Sequence, residues 1–197
     1  NKMPKEERYT LYSKIRDNVL LEYFYYTINA IKDPMYADSV SLEDSIPSIT
    51  DGMTLIEDVY NKSFINIVSE SEYWNNTKKL HCYKSIFFSE KTAKPLNTYT
   101  PFIILGCSGS IKKLKEIGFK TFDKWWDESY DDCEDDNKRI EKIFQIVKYI
   151  CSLSIEEIQK MYIEMIPILK HNHDLYQKMT DTKFQYRSEE HTSELQS

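Results

Sequence analysis

The chain has 197 residues, of which 41% are hydrophobic and 29% are charged, values typical of a single soluble globular domain. No apolar run approaches the roughly 20 residues that a membrane-spanning helix needs. The net charge of −6 argues against a surface that coats nucleic acid, because such surfaces are basic. We therefore expect a small molecule or a protein as the partner, with no nucleic acid and no membrane span.

The first third of the chain predicts a helix, a strand and a loop, in that order. Leu11, Ile15 and Val19 keep a helical spacing. Residues 21–28 (LEYFYYTI) are aromatic and β-branched, which is typical of a strand. Residues 31–48 carry two prolines and several Ser and Asp residues without periodicity, and this composition predicts a loop.

The sequence next predicts a short helix, a buried strand and a second helix. Thr54 and Glu57 have capping-box spacing, which predicts a short helix ending near Lys62. Residues 64–69 (FINIVS) have the composition of a buried strand. Residues 86–96 (IFFSEKTAKPL) pass from apolar residues into a predicted helix.

A second strand follows, and its pattern is the clearest in the chain. Residues 101–106 (PFIILG) are continuously apolar, as expected of a parallel strand covered on both faces. Residues 110–117 predict a helix with Gly118 at its C′ position, and residues 120–122 predict a further short strand.

Two helices complete the predicted order of elements. Apolar residues in 140–151 follow the 3.6-residue rhythm of a helix. Ser154 and Glu157 form a second capping box, which opens an amphipathic helix that we expect to end near residues 171–173. The alternation of strands and helices predicts an α/β domain with a mostly parallel sheet flanked by helices and a helical C-terminus.

The cysteines and the chain termini indicate the cellular location of the protein and the extent of its domain. Four cysteines lie far apart without zinc-ligand spacing: Cys82, Cys107, Cys133 and Cys151. They favour reduced thiols in the cytoplasm, and no signal-peptide pattern follows Asn1. Residues 187–197 (RSEEHTSELQS) resemble a translated sequencing adapter. We therefore expect one genuine domain, residues 1–186, truncated at both ends.

The turn after the second predicted strand is the first candidate anion site. In open α/β sheets, ligands bind beyond the carboxyl ends of the strands, often at helix N-termini. Gly106 and Gly109 allow close approach of an anion to the backbone, and Ser108 and Ser110 can donate hydroxyl hydrogen bonds. Walker A and GxGxxG patterns are absent. The alternative is an ordinary tight turn with a serine N-cap.

The second candidate site lies at the start of the preceding helix. The residues concerned are Ser89, Glu90, Lys91 and Thr92, with Lys94 following. A lysine at a helix start is unfavourable by about 0.3–1 kcal/mol, which a nearby anion would offset. Glu90 can accept hydrogen bonds from a ribose diol while Lys91 or Lys94 neutralises a diphosphate. The alternative is a solvated helix face.

These motifs together resemble a known family. Residues 64–71 (FINIVSES), 87–96 (FFSEKTAKPL) and 101–106 resemble the donor-binding half of GT-B glycosyltransferases, and the pattern is similar to that of the α1,3-fucosyltransferases. The chain also resembles phage and viral sequences of glycosyltransferase type, through GF-x-TF at 118–122 and DESYD at 127–131. The resemblance implies the Rossmann-like C-terminal half of a GT-B fold.

The resemblance also implies roles for single residues. Glu90 would bind the donor ribose, Lys91 the diphosphate, and Arg8 would be a second phosphate ligand. Glu70 would stand in or near the donor pocket, although Ser69-Glu70-Ser71 replaces the family's Phe-Glu-Asn. The donor would be a nucleotide-sugar, no cofactor or metal would be needed, and the acceptor, a glycan or a protein, is unknown. The catalytic base would lie in an N-terminal domain outside this chain, so this fragment alone would be inactive.

Two other functions are compatible with the same residues. One is a non-catalytic nucleotide- or carbohydrate-binding module of the same fold, and the other is an interaction protein that uses its acidic loop and tyrosines. Residues 127–136 predict a solvated acidic loop in preference to a Mg²⁺ site, because their oxygens lack regular ligand spacing. His171 and His173 would point to different helix faces, and Trp125-Trp126 would pack in the core or flank an acceptor groove.

Overall fold

The computed structural model describes residues 6–23, 62–70 and 88–194. The described elements, in chain order, are α1 (Glu6–Asp17), a short 3₁₀ helix (Leu21–Tyr23), β1 (Asn66–Ser69), α2 (Glu90–Asn97), β2 (Phe102–Leu105), α3 (Ser110–Ile117), α4 (Asp136–Cys151) and α5 (Ile155–Glu194). β1 and β2 pair in parallel, with Asn66 opposite Phe102 and Ser69 opposite Leu105. The described part of the chain is therefore a mixed α/β structure, as the sequence predicts.

Strand β2 forms the centre of the core. All four of its side chains are at most 2% exposed, which confirms the prediction of a fully buried parallel strand. Burial of each such side chain contributes about 1.5–3 kcal/mol to folding. The helical rhythm of α4 is also confirmed, since Ile140, Ile143, Val147 and Ile150 are buried, and α4 packs against α1 and β2.

Helix α5 begins as predicted but does not end as predicted. The Ser154 amide donates to Glu157 Oε2 at 2.8 Å and the Glu157 amide donates to Ser154 Oγ at 3.2 Å, which is the reciprocal capping box. The helix then continues through Pro167 to Glu194, so the expected end near residues 171–173 is wrong. The physical reason is packing: Met165, Leu169 and Asn172, spaced along one face, are each at most 3% exposed.

The end of α1 differs from the sequence prediction at Val19. This residue lies beyond the helix in the left-handed region, with φ of 58°, and is 80% exposed. The Val19 amide donates to Arg16 O at 2.9 Å and the Leu20 amide donates to Ile15 O at 3.1 Å. This pair of hydrogen bonds is a Schellman motif, which ends the helix in spite of the apolar spacing.

The strand predicted for residues 21–28 is wrong where it is described, because Leu21–Tyr23 forms a 3₁₀ helix. Residues 24–28 lie outside the described residues. The loop predicted for residues 31–48 and the capping box at positions 54–57 also lie outside them. Among the described residues, no helix combines the length and the apolar character needed to cross a lipid bilayer.

The short strand predicted for residues 120–122 is also wrong. The amide of Lys120 donates to Asn172 Oδ1 at 2.8 Å, and Asn172 Nδ2 donates to the carbonyl of Lys120 at 2.8 Å. The amide of Phe122 donates to Glu128 Oε1 at 2.7 Å. Main-chain groups that a strand would give to a neighbouring strand are therefore bonded to side chains, and the segment is a loop that docks α5.

Replacing Asn172 by alanine should lower the free energy of unfolding by about 2 kcal/mol, because the Lys120 main chain loses two hydrogen bonds to this buried side chain. The measurement is urea unfolding followed by circular dichroism. Lys170→Ala, on an exposed position of the same helix, should change stability by no more than about 0.5 kcal/mol. Equal effects of the two substitutions would show that Asn172 does not dock the loop.

Candidate functional site

The carboxyl edge of the strand pair brings Glu70 and Gly106 together. Each residue directly follows its strand, and an ideal Cβ on Gly106 would lie 3.5 Å from the Cβ of Glu70. The same Cβ would lie only 3.0 Å from Ile104 Cγ2, so a larger residue here would force a shift. Glycine at position 106 therefore serves the close packing of this edge.

The carboxylate of Glu70 ties the end of β1 to the start of α2. The Ser89 amide donates to Oε1 at 3.1 Å and Thr92 Oγ1 donates to it at 2.6 Å, while Ser89 Oγ donates to Oε2 at 2.6 Å. Ser89 is also the N-cap of α2, since its Oγ accepts from the Lys91 amide at 3.2 Å. Thr92 belongs to the predicted segment, but the sequence assigns it no role, and its place on the first turn of the predicted helix is its sequence signal.

Arg8, on the first turn of α1, lies at the same edge. Its Nε donates to Ser69 Oγ at 2.7 Å, and Nη2 donates to the carbonyls of Ser69 and Glu70 at 3.3 and 3.5 Å. These three acceptors carry no formal charge. The contacts therefore orient the guanidinium at the end of β1 without neutralising its positive charge.

Helix α2 begins beside this edge and carries two lysines. Lys91 and Lys94 are partly buried on the first two turns, and their spacing of three residues puts them on one side of the helix. Glu90 is the first residue of α2, and its side chain lies outside the described residues. The link from Glu70 through Ser89 connects Lys91 to the end of β1 that holds Arg8.

The turn between β2 and α3 is tight, but its cap is not a serine. Gly109 has a φ of 84° and occupies the N-cap position without a side-chain cap of its own. Ser110 Oγ donates to the carbonyl of Cys107 at 2.6 Å, and Ser108 is partly buried. Glycine at position 109 supplies a left-handed backbone conformation that other residues rarely adopt.

Asp131 caps α3. Its Oδ1 accepts from the Ile111 amide at 2.9 Å, its Oδ2 accepts from the Lys112 amide at 3.0 Å, and its carbonyl accepts from the Gly109 amide at 2.9 Å. Burial raises the pKa of Asp131, against the opposing effect of the two helix amides. A protein carboxylate thus occupies the position at which a phosphate would meet the helix N-terminus.

The neighbouring DESYD residues hold other segments of the fold. Glu128 accepts from Thr121 Oγ1 at 2.6 Å, and the hydroxyl of Tyr130 accepts from the Ile104 amide at 3.3 Å. Burial raises the pKa of Tyr130 well above its ordinary value, so the phenol stays protonated. The expectation of a solvated acidic loop is therefore wrong for the buried carboxylates of Glu128 and Asp131. Within residues 6–23, 62–70 and 88–194, no three His, Cys, Asp or Glu side chains form a group that could hold a metal ion.

The histidines and tryptophans pack away from this edge. His171 Nε2 hydrogen-bonds the Gly118 carbonyl at 2.9 Å, while His173 Nδ1 hydrogen-bonds the Tyr99 hydroxyl at 3.0 Å, so the two rings serve different faces as predicted. Trp126 is 5% exposed, with its ring centroid 5.1 Å from that of Phe122. Trp126 therefore packs in the core, which was the first of its two predicted roles.

Comparisons with known proteins add no information about this site. Comparison of the chain with protein-family models, with curated proteins and with solved structures gave no match. The geometry and charge of the carboxyl edge are therefore the features that indicate a function.

Proposed function

We propose that the carboxyl edge of the β1–β2 pair binds the nucleoside diphosphate of a nucleotide-sugar, and that the chain is the Rossmann-like donor-binding domain of a cytoplasmic glycosyltransferase. The main support for this proposal is a set of contacts at this edge. These contacts join residues from four separate segments, namely Arg8, Glu70, Ser89 and Gly106. Ligands of open α/β sheets bind at such edges. The cytoplasmic location follows from the wide spacing of the cysteines in the sequence, which favours reduced thiols.

The charges of the edge suit a diphosphate. Arg8 is held by uncharged acceptors, so its planar guanidinium retains a positive charge for phosphate oxygens. Lys91 and Lys94 would add point charges from α2. Because Asp131 caps α3, the phosphates would depend on these side chains and not on the α3 N-terminus. Binding should therefore weaken as salt concentration rises.

The remaining predicted residues receive supporting roles in this proposal. Glu90 would accept hydrogen bonds from the ribose hydroxyls, and Ser108 would donate to the ligand from the turn that also contains Gly106, Gly109 and Ser110. Cationic side chains would stabilise the leaving nucleoside diphosphate without a metal ion. Transfer to an acceptor hydroxyl also requires a general base, which we assign to no residue of this chain.

Isothermal titration of the full chain with UDP, GDP, CDP and ADP tests this proposal. We expect preferential binding of one nucleotide and about tenfold weaker binding by Lys91→Met, which loses one cation–phosphate contact. Lys170→Met, a matched change on exposed α5, should bind like the unaltered chain. Absence of binding by the folded chain, or equal loss in both lysine variants, would contradict the proposal.

A further inference from the structure

Glu70 contacts Arg8 through its main chain and the N-cap of α2 through its side chain. Its main-chain carbonyl accepts from Arg8 Nη2 at 3.5 Å, and its side chain holds the amide and hydroxyl of Ser89. Ser89 Oγ in turn accepts from the Lys91 amide at 3.2 Å. A continuous set of hydrogen bonds therefore runs from Arg8 through Glu70 and Ser89 to the backbone of Lys91.

We propose that Glu70 is a positioning residue that fixes the start of α2 against the end of β1, and so sets the place of Lys91 relative to Arg8 without contacting the nucleotide. For its ligand, this inference rests on the proposed function. It gives a physical reason for a buried acidic residue beside an anion site, where a carboxylate in contact with phosphate would repel it.

The geometry favours positioning over direct contact. Glu70 is 3% exposed, which leaves almost no surface for a ribose hydroxyl. Oε1 already accepts from the Ser89 amide and Thr92 Oγ1, and Oε2 accepts from Ser89 Oγ. These donors all belong to the first turn of α2 or its cap, so the carboxylate acts on the placement of that helix.

Glutamine at position 70 separates the two roles. Its amide oxygen can accept from the Ser89 amide and from Thr92 Oγ1, while its Nε2 donates to Ser89 Oγ, which has a second lone pair beside the Lys91 amide. Glu70→Gln therefore keeps the link and removes the charge. A carboxylate that bound the ligand directly would lose its effect in this variant, whereas a positioning residue would not.

The experiment measures two quantities on the full chain. Hydrogen exchange reports the protection of the amides of residues 89–93, and isothermal titration reports affinity for the nucleoside diphosphates UDP, GDP, CDP and ADP. We expect Glu70→Ala to speed exchange at these amides and to weaken binding about tenfold, and Glu70→Gln to stay within about threefold of the unaltered chain. Glu156→Ala, on an exposed position of α5, is the control and should change neither quantity.

Two results would overturn the inference. One is unchanged exchange at residues 89–93 in Glu70→Ala, which would show that another contact holds α2. The other is a loss of binding in Glu70→Gln as large as in Glu70→Ala with unaltered exchange, which would make Glu70 a ligand contact. If the unaltered chain binds no nucleotide, the proposed function is wrong, and the exchange comparison alone decides whether Glu70 fixes α2. If Glu70→Ala does not fold, Thr92→Val, which removes one donor to the same carboxylate, replaces it in both measurements.

Discussion

Replacement of Phe122 by alanine should lower the free energy of unfolding by about 3–5 kcal/mol, the largest effect that we expect from a single change outside the sheet. The side chain is 0% exposed. Its ring lies edge-on to Phe102, with centroids 5.2 Å apart, and its centroid is 5.1 Å from that of Trp126. Truncation would leave a cavity between β2 and the loop before α4. Thermal and urea unfolding would measure the loss.

The matched control is Tyr149→Ala, which removes an aromatic ring that is 45% exposed on α4. Its effect should not exceed about 0.5 kcal/mol, because little apolar surface leaves the interior. A loss of less than about 1.5 kcal/mol for Phe122→Ala would mean that the aromatic cluster collapses around the gap or is not formed.

Asp131→Ala should destabilise the chain by about 2–3 kcal/mol, because buried main-chain donors of α3 would lose their acceptors. The amides of Ile111 and Lys112 bond to this side chain, and Gly109, at the N-cap position, has no side chain to replace it. Unfolding by urea would measure the change. Asp132→Ala alters the exposed neighbour and should change stability by no more than about 0.5 kcal/mol.

The stability of the chain should depend on pH through the titration of Asp131. Burial raises the folded-state pKa of Asp131 above the ordinary 3.8. The native state therefore holds this proton more tightly than the unfolded chain, so its stabilising contribution is complete at low pH and is lost as pH rises through the raised pKa. The stability of the unaltered chain relative to Asp131→Asn should accordingly increase as pH falls through that range. A difference that stays constant or decreases would contradict the assignment.

The elements that could be predicted from the sequence are those encoded in local patterns. The apolar run of β2, the 3.6-residue rhythm of α4 and the capping box of Ser154 and Glu157 each carry their own signal, and the structure has all of them. Gly118 ends α3 with a φ of 107°, as its position after residues 110–117 predicts.

The errors arise where distant residues decide the local structure. Residues 120–122 have the composition of a short strand. In the structure, however, the amides of Lys120 and Phe122 donate to the side chains of Asn172 and Glu128 from other parts of the chain. Helix α5 passes through Pro167 because its buried face on either side of the proline stays docked. No window of neighbouring residues contains that information.

The candidate site shows the same division. The predicted strand at residues 101–106 puts Gly106 at the carboxyl end of β2, whereas only the family resemblance pointed to Glu70, which lies beside Gly106 in the structure. The cap that Asp131 supplies to α3 could not be predicted, because Asp131 lies some twenty positions beyond the amides that it binds. The role of Thr92 was missed for a similar reason, since its partner Glu70 precedes it by 22 residues.

Titration of the unaltered full chain with nucleoside diphosphates, observed through its backbone amide resonances, tests whether the carboxyl edge binds a nucleotide. We expect saturable binding of one nucleotide, with shifts concentrated at Arg8, residues 69–70, residues 89–91 and Gly106, and a loss of affinity as salt concentration rises. Absence of binding by the folded chain, or shifts confined to other surfaces such as the exposed face of α5, would contradict it.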